Sequence, residues 1–248
     1  MKFYLLASGS KGNCCVITHN DTNIVIDCGS TKRYLNASFQ EIGYDFKQSD
    51  ALFITHTHSD HIKQLKMFQD IPTYSAVSLD TDYLSLVSPY EELQIKDLHI
   101  QVIPLSHDSE NTIGFVIHSD DEKLVYITDT GYIKEESKKY LKDADYYIFE
   151  SNHDIEMLMQ TSRPYFTKQR IISDSGHLCN EDSANILCEI INTNKTKEIV
   201  LAHISQEGNT REKALNCLLE TLDRKKINHG KIKKYPAGQF EIYYGGKR

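Results

Sequence analysis

The stretch His56-Thr57-His58-Ser59-Asp60-His61 decides how this chain is read. It follows directly on Ala51-Leu52-Phe53-Ile54, an apolar run that predicts a buried strand. Side chains two residues apart on an extended segment point the same way, so His56 and His58 can reach one ion together. A helix beginning near Ser59 would place Asp60 and His61 in its first turn, facing a second ion. Neutral imidazole and carboxylate are the groups that hold Zn, Mn or Fe in hydrolytic centres. Three histidines and an aspartate within six residues, in a chain with 11 histidines among 248, argue against a surface loop that is merely His-rich.

The same placement recurs downstream. A strand predicted over Leu98 to Leu105 ends in Ser106-His107-Asp108, and one over Lys123 to Thr128 ends in Asp129-Thr130-Gly131. Val200-Leu201-Ala202 leads into His203. An aspartate can offer one oxygen to each of two ions, and Gly131 lets the backbone turn tightly beside Asp129. When strands of two packed sheets all end in ligands, the ligands meet at one edge. Further strands are expected over Lys2 to Ala7, Cys14 to Thr18, Thr22 to Asp27, Ile71 to Tyr74, Ile113 to His118, Tyr146 to Glu150, Ile232 to Tyr235 and Phe240 to Tyr244. Helices are expected over Thr31 to Ile42 with Gly43 as the stop, Ile62 to Phe68, Ala76 to Val87, Ile155 to Gln160, from an Asn180 N-cap to Ile191, and over Thr210 to Arg224. The fold class is α/β. Asp27 suits either a hydrogen-bond acceptor for a ligand histidine or a plain turn. Ser8-Gly9-Ser10-Lys11-Gly12-Asn13 reads equally as a hairpin turn or as a loop aiming backbone N–H groups, with Lys11, at an anion.

The composition is 40% hydrophobic and 25% charged, enough for one large domain spanning residues 1–248, with no linker or repeat to divide it. A net charge of −7 argues against coating nucleic acid over the whole surface, though not against a local basic groove. The six cysteines show no CxxC spacing and read as buried, reduced thiols. No apolar stretch reaches the ~18 residues of a membrane span, and no signal peptide is evident, which places the protein in the cytoplasm and off the membrane.

His56-x-His58-x-Asp60-His61, followed in order by His107, Asp129 and His203, resembles the metallo-β-lactamase fold over nearly the whole chain. Within that superfamily the YycJ/WalJ-like group, DNA exonucleases related to PhnP-type phosphodiesterases, is similar in Ser8 to Asn13, Glu150-Ser151-Asn152-His153-Asp154, Gly176-His177-Leu178, and His203-Ile204-Ser205 with Asn209. Cys179 stands where that group has serine. The resemblance implies an αββα sandwich and two divalent metal ions. His56, His58 and His107 would hold the first ion, Asp60, His61 and His203 the second, with Asp129 bridging.

Two ions about 3.5–4 Å apart share a water and lower its pKa, which sets up attack by a metal-bound hydroxide on phosphorus or a carbonyl. A phosphodiester is the better match, because it is anionic and spans two cations. Asp60 belongs to the reacting centre, and His177 and His153, each in a loop, are the candidate proton donors for the leaving oxygen. His19, His99, His118 and His229 are read as structural or exposed. The expected partner is nucleic acid, DNA before other phosphodiesters. Basic runs at Arg224-Lys225-Lys226, at Lys231, Lys233 and Lys234, and at Lys134, Lys138, Lys139 and Lys142 could carry the polyanion. The chain has no room for a large clamping insert, which favours a compact exonuclease or a phosphodiesterase acting on short ends over an endonuclease that wraps its substrate; the expected reaction is that of a 5′-end DNA exonuclease. The alternative is a thioesterase or lactonase of the glyoxalase II kind acting on a small molecule. The oligomeric state stays open.

Overall fold

Strands that are apolar on both faces need cover on both faces. The chain meets that need by stacking two sheets and placing helices outside them. The computed structural model describes residues 1–247. The first sheet runs in chain order through β1 (Lys2–Ala7), β2 (Cys14–His19), β3 (Thr22–Ile26), β4 (Ala51–Ile54), β5 (Thr73–Ser75) and β6 (Leu84–Leu86). The second runs through β7 (Glu92–Ile95), β8 (Leu98–Pro104), β9 (Ile113–His118), β10 (Lys123–Ile127), β11 (Tyr146–Glu150), β12 (Glu198–Ala202) and β13 (Lys233–Pro236). The last strand, β14 (Tyr243–Gly246), returns to the first sheet beside β1. Both sheets start antiparallel and turn parallel, from β3 in one and from β10 in the other. Parallel strands end at the same edge, so the segments after β3, β4, β10, β11 and β12 all emerge together.

Alternation along each strand sorts residues between layers. Ala51 and Phe53 of β4 face the second sheet, whereas Leu52 and Ile54 face outward. Tyr126 of β10 points into the sandwich, and Val125 and Ile127 point away from it. Phe53 meets Phe115 across the middle at 5.2 Å between ring centroids. Outside the first sheet, Leu35 and Phe39 of α1 (Lys32–Glu41) pack on Val25 and Leu52. Outside the second, Leu187 of one long helix (Asn180–Ile190) and Leu218 of another (Arg211–Arg224) cover Tyr147, Phe149 and Leu201. The result is the αββα sandwich expected from the sequence.

Several elements differ from the sequence expectation. Residues 76–87 form no helix; a loop leads to β6, which pairs with β5 through Thr73↔Leu84 and Ser75↔Leu86. Ser78, Asp80, Thr81, Asp82 and Ser85 bond readily to nearby backbone and weaken a helix, and the open edge of β5 offers ladder bonds instead. The helix expected over Ile62 to Phe68 is α2 (Ser59–Ile62) followed by a 3₁₀ turn (Leu65–Phe68), because Gln64 N–H bonds to Cys28 O rather than continuing the helix. The closing strands lie one to three residues later than expected, and β7 has no counterpart in the sequence reading. Cys179, not Asn180, caps the helix that starts at Asn180. Asn180 turns inward, 2% exposed, to meet Ser151 and Asn209. The six cysteines are free, four of them buried, while Cys188 and Cys217 are half-buried.

Candidate metal centre

The candidate ligands lie in segments that leave the strands at the shared edge. Three residues just past strand ends, Asp27 after β3, Asp129 after β10 and His203 after β12, adopt left-handed backbone with φ of 59°, 58° and 54°. Asp and His tolerate this region better than branched residues do, at a cost of about 1–2 kcal/mol each. There Asp27 and Asp129 each meet His61, and His203 meets Asp129. Such strain is characteristic of functional sites.

The predicted ligands converge. The rings of His56, His58 and His107 meet pairwise at centroid distances of 4.6, 5.0 and 5.1 Å. Their ligand atoms form one group, all within 4.8 Å of one another. Asp60, His61 and His203 form a second such group, and His56, His61 and Asp129 a third that joins the two. Asp129 Oδ2 lies 3.3 Å from His61 Nε2, and Asp129 Oδ1 lies 3.4 Å from His203 Nε2 and 4.0 Å from His107 Nε2.

Tautomers are set from behind. His61 Nδ1–H donates to Asp27 Oδ2 at 2.8 Å, which fulfils the acceptor role suggested for Asp27. Asp27 also accepts from Thr55 N and Thr55 Oγ1, and Thr55 Oγ1 lies 3.1 Å from His56 Nδ1. His107 Nδ1–H donates to Gly176 O and His203 Nδ1–H to Glu150 Oε1, both at 2.9 Å. With Nδ1 protonated in each case, Nε2 carries the lone pair and faces the cleft. His56 Nε2, His107 Nε2, His203 Nε2 and Asp129 Oδ2 are buried without a hydrogen-bond partner. Orphaned acceptors of this kind are costly unless something electropositive meets them. A divalent cation is the group that satisfies imidazole and carboxylate lone pairs at once, so the donor set fits a metal centre.

The electrostatics agree. Burial opposes ionisation of Asp129, but positive charge on His203 and His61 overrides it and holds the carboxyl well below its usual range. Burial also opposes charge on His203, yet Asp129 and Glu150 lift it to about 9. His56 moves the other way, lowered first by burial and then by the charge on His61.

The loop Ser8 to Asn13 behaves as a hairpin connection whose end reaches the site. Asn13 Oδ1 accepts from Gly9 N at 2.8 Å, and Asn13 Nδ2 donates to Asp60 Oδ2 at 3.2 Å. Ser8 Oγ accepts from His203 N at 2.7 Å. Gly29 is needed where this loop meets α2, because a Cβ there would sit 1.6 Å from Asp60 O.

Of the two predicted proton donors, only His177 joins the cluster. Its Nδ1 donates to Glu150 Oε1 at 2.9 Å and lies 3.9 Å from Asp129 Oδ1, and its side chain is 17% exposed. His153 is sealed in the interior at 1% exposure, with both ring nitrogens unpartnered. Burial lowers it to about 4, so the ring is neutral and out of a substrate's reach, and it is withdrawn as a proton donor. The sequence reading missed Glu150 as a functional residue, although it ends β11 as the other site residues end theirs. Its carboxylate also accepts from Thr130 N and Leu178 N. Despite burial, His177 and His203 bring it down to about 2. Asp108 was missed as well; its Oδ1 lies 3.1 Å from His107 Nε2 while Arg170 holds its other oxygen at 2.7 Å.

Of the predicted basic runs, Lys134 shares a cavity lining with His107, while other members are engaged elsewhere. Lys233 pairs with Glu198 at the start of β12, the end of that strand far from His203, and Lys234 bonds to His229. Lys138 is held by Glu135 and Glu189. Among the described residues, no helix is long and apolar enough to cross a membrane.

A two-sheet sandwich with a His/Asp cluster at the carboxyl ends of its strands defines a class of protein built around a cleft suited to divalent metal. Residues 22–204 match the family model described as a beta-lactamase superfamily domain. The chain is 33% identical to the exodeoxyribonuclease YycJ of Bacillus anthracis over 244 residues, covering 93% of this chain and 92% of that one. It is 32% identical to the exodeoxyribonuclease WalJ of Streptococcus pneumoniae over 246 residues, covering 92% and 91%. Among solved structures, the metallo-β-lactamase-fold protein YhfI of Bacillus subtilis superposes with a TM-score of 0.72 at 15% identity, covering 98% of this chain and 99% of that one. The chain belongs to the beta-lactamase superfamily and is a hydrolase of metallo-β-lactamase fold.

Proposed function

We propose that this protein is a dinuclear-metal phosphodiesterase that removes nucleotides from DNA ends, at 5′ termini. The observation that carries the reading is the set of buried, unpartnered acceptors on His56, His107, His203 and Asp129, arranged so that Asp129 stands between two ligand groups. His56, His58 and His107 would hold one ion and Asp60, His61 and His203 the other, with Asp129 shared. When bound, a pair of divalent ions would acidify a water and offset charge on the phosphoryl oxygens. The resemblance to enzymes named exodeoxyribonucleases over more than nine-tenths of the chain supports a DNA strand as substrate.

The chain's own residues do the rest. Glu150 fixes His177 with Nδ1 protonated, which leaves Nε2 for the substrate. A protonated His177 would deliver its proton from Nε2 to the leaving oxygen. Asp27, Thr55, Gly176 and Glu150 hold the imidazoles in one orientation, so the ligand set is organised before a substrate arrives.

The test is hydrolysis of bis-p-nitrophenyl phosphate and of end-labelled duplex DNA by protein stripped with chelator and then reloaded with Zn or Mn. Elemental analysis of the reloaded protein supplies the stoichiometry. Metal-dependent release of mononucleotides from 5′ ends at two ions per chain is expected. Cleavage of glutathione thioesters with no action on phosphodiesters would overturn the reading.

A further inference from the structure

Beside His107 the surface opens into a cavity of about 510 Å³, and His107 is the one candidate ligand among the residues that line it. Its volume lies within the about 300–1,000 Å³ of pockets that enclose a small organic ligand. A larger hollow of about 600 Å³, around Met1, Asp121 and Lys247, lies at the other end of β1 and holds none of the candidate ligands. The cavity beside His107 has two kinds of wall. Val87, Pro89 and Pro104 line it with rigid apolar surface, while Ser106, Asn111 and Lys134 bring polar groups to it.

Lys134 is the informative member. It belongs to a basic run noted in the sequence, yet it differs from its neighbour Lys138, whose charge is taken up by Glu135 and Glu189. Among the described residues Lys134 makes no ion pair, and the Ser106 hydroxyl and Asn111 amide make no side-chain hydrogen bond. No carboxylate lines the cavity. A solvent-exposed lysine without a counter-charge, lining a cavity with neutral polar residues beside the candidate metal centre, suits an anion attached to a flat apolar group.

We propose that this cavity receives the terminal nucleotide of a nucleic-acid strand. The base lies against Val87, Pro89 and Pro104, and the terminal phosphate meets Lys134, while the adjoining phosphodiester reaches the ligands beside His107. Resting on the nuclease reading, it makes the cavity the device by which the enzyme recognises an end: a terminal phosphate gains a charged contact there that an internal one, with chain continuing on both sides, does not.

The test compares wild type, Lys134→Ala, Lys134→Glu and Lys134→Arg as metal-loaded proteins. The substrates are oligonucleotides carrying phosphate or hydroxyl at the 5′ or the 3′ end, with bis-p-nitrophenyl phosphate as a substrate too small to need the cavity. For one phosphorylated terminus, KM is expected to rise about tenfold in Lys134→Ala and further in Lys134→Glu, with kcat little changed. Lys134→Arg should restore most of the loss. The hydroxyl-ended strand and bis-p-nitrophenyl phosphate should respond little to any of the three. The terminus that shows the effect identifies whether the pocket takes a 5′ or a 3′ phosphate. Equal KM for phosphorylated and hydroxyl ends in wild type, or an unchanged KM in Lys134→Glu, would overturn the pocket while leaving the nuclease reading intact. Hydrolysis of bis-p-nitrophenyl phosphate with no attack on any oligonucleotide would overturn both.

Discussion

Replacing Glu150 with glutamine is the most discriminating change the centre offers. The carboxylate is fully buried and accepts four hydrogen bonds. Oε1 takes His177 Nδ1 and His203 Nδ1 at 2.9 Å each, and Oε2 takes Thr130 N at 2.9 Å and Leu178 N at 3.3 Å. A glutamine has the same shape but only one acceptor oxygen, so one pair of donors must face its NH₂. The backbone amides of Thr130 and Leu178 cannot change what they are; left unpartnered, each would cost about 1–3 kcal/mol. The imidazoles can adapt by moving the proton from Nδ1 to Nε2 and accepting from the amide. The variant should therefore keep its oxygen on the backbone side and convert His203 to the tautomer whose Nε2 lone pair is gone. Folding stability of the metal-free protein should fall by no more than about 1–2 kcal/mol. Metal affinity should fall about 10–100-fold, the usual effect of losing such an outer partner, which corresponds to about 1.4–2.7 kcal/mol. Competition with a chromophoric chelator measures the affinity, and urea unfolding of the stripped protein measures the stability. Turnover at saturating metal separates the contribution of His177, because it should stay depressed after the ions are restored. If Glu150→Gln binds metal within about twofold of wild type and turns over normally, Glu150 does not set these tautomers and the argument fails.

Three further outcomes are expected. His58 is 39% exposed, so His58→Ala should abolish hydrolysis with an unfolding midpoint near that of wild type; unchanged turnover would exclude His58 as an essential ligand. Gly29→Ala would drive a Cβ into Asp60 O, so the His56–His61 loop must shift, and thermal unfolding should report a loss above about 2 kcal/mol together with weaker metal binding. His153 concerns acid stability. Its ring titrates near 4 when folded, against about 6.5 in an unfolded chain, so below pH 6.5 the unfolded state takes up the proton first and the native state loses up to about 3 kcal/mol by pH 4. His153→Leu should flatten that acid limb in urea titrations at pH 7, 5.5 and 4.5, and parallel curves for the two proteins would show that His153 plays no part in it.

Much of the molecule was legible along the chain, for identifiable reasons. The His56–His61 segment is local: its ligands are fixed by alternation on an extended segment and by the first turn of a helix, both properties of a few adjacent residues. The buried strands announce themselves because a sheet covered on both faces needs unbroken apolar runs, as in β4, β10 and β12. What stayed hidden depends on residues far apart. Residues 76–87 became a loop and an edge strand because β5 had an open edge. Glu150 and His153 stand three apart in one motif and only His153 reads as functional from the sequence, yet Glu150 holds two site imidazoles and His153 is sealed away with neither ring nitrogen partnered. The ligand types and the strand ends that carry them were set by sequence alone, since the identity of a donor atom is local chemistry. Which imidazole nitrogen is free, which histidine reaches a substrate, and that Lys134 stands unpaired beside the centre were decided only on folding, because each is a relation between side chains that the chain brings together from distant positions.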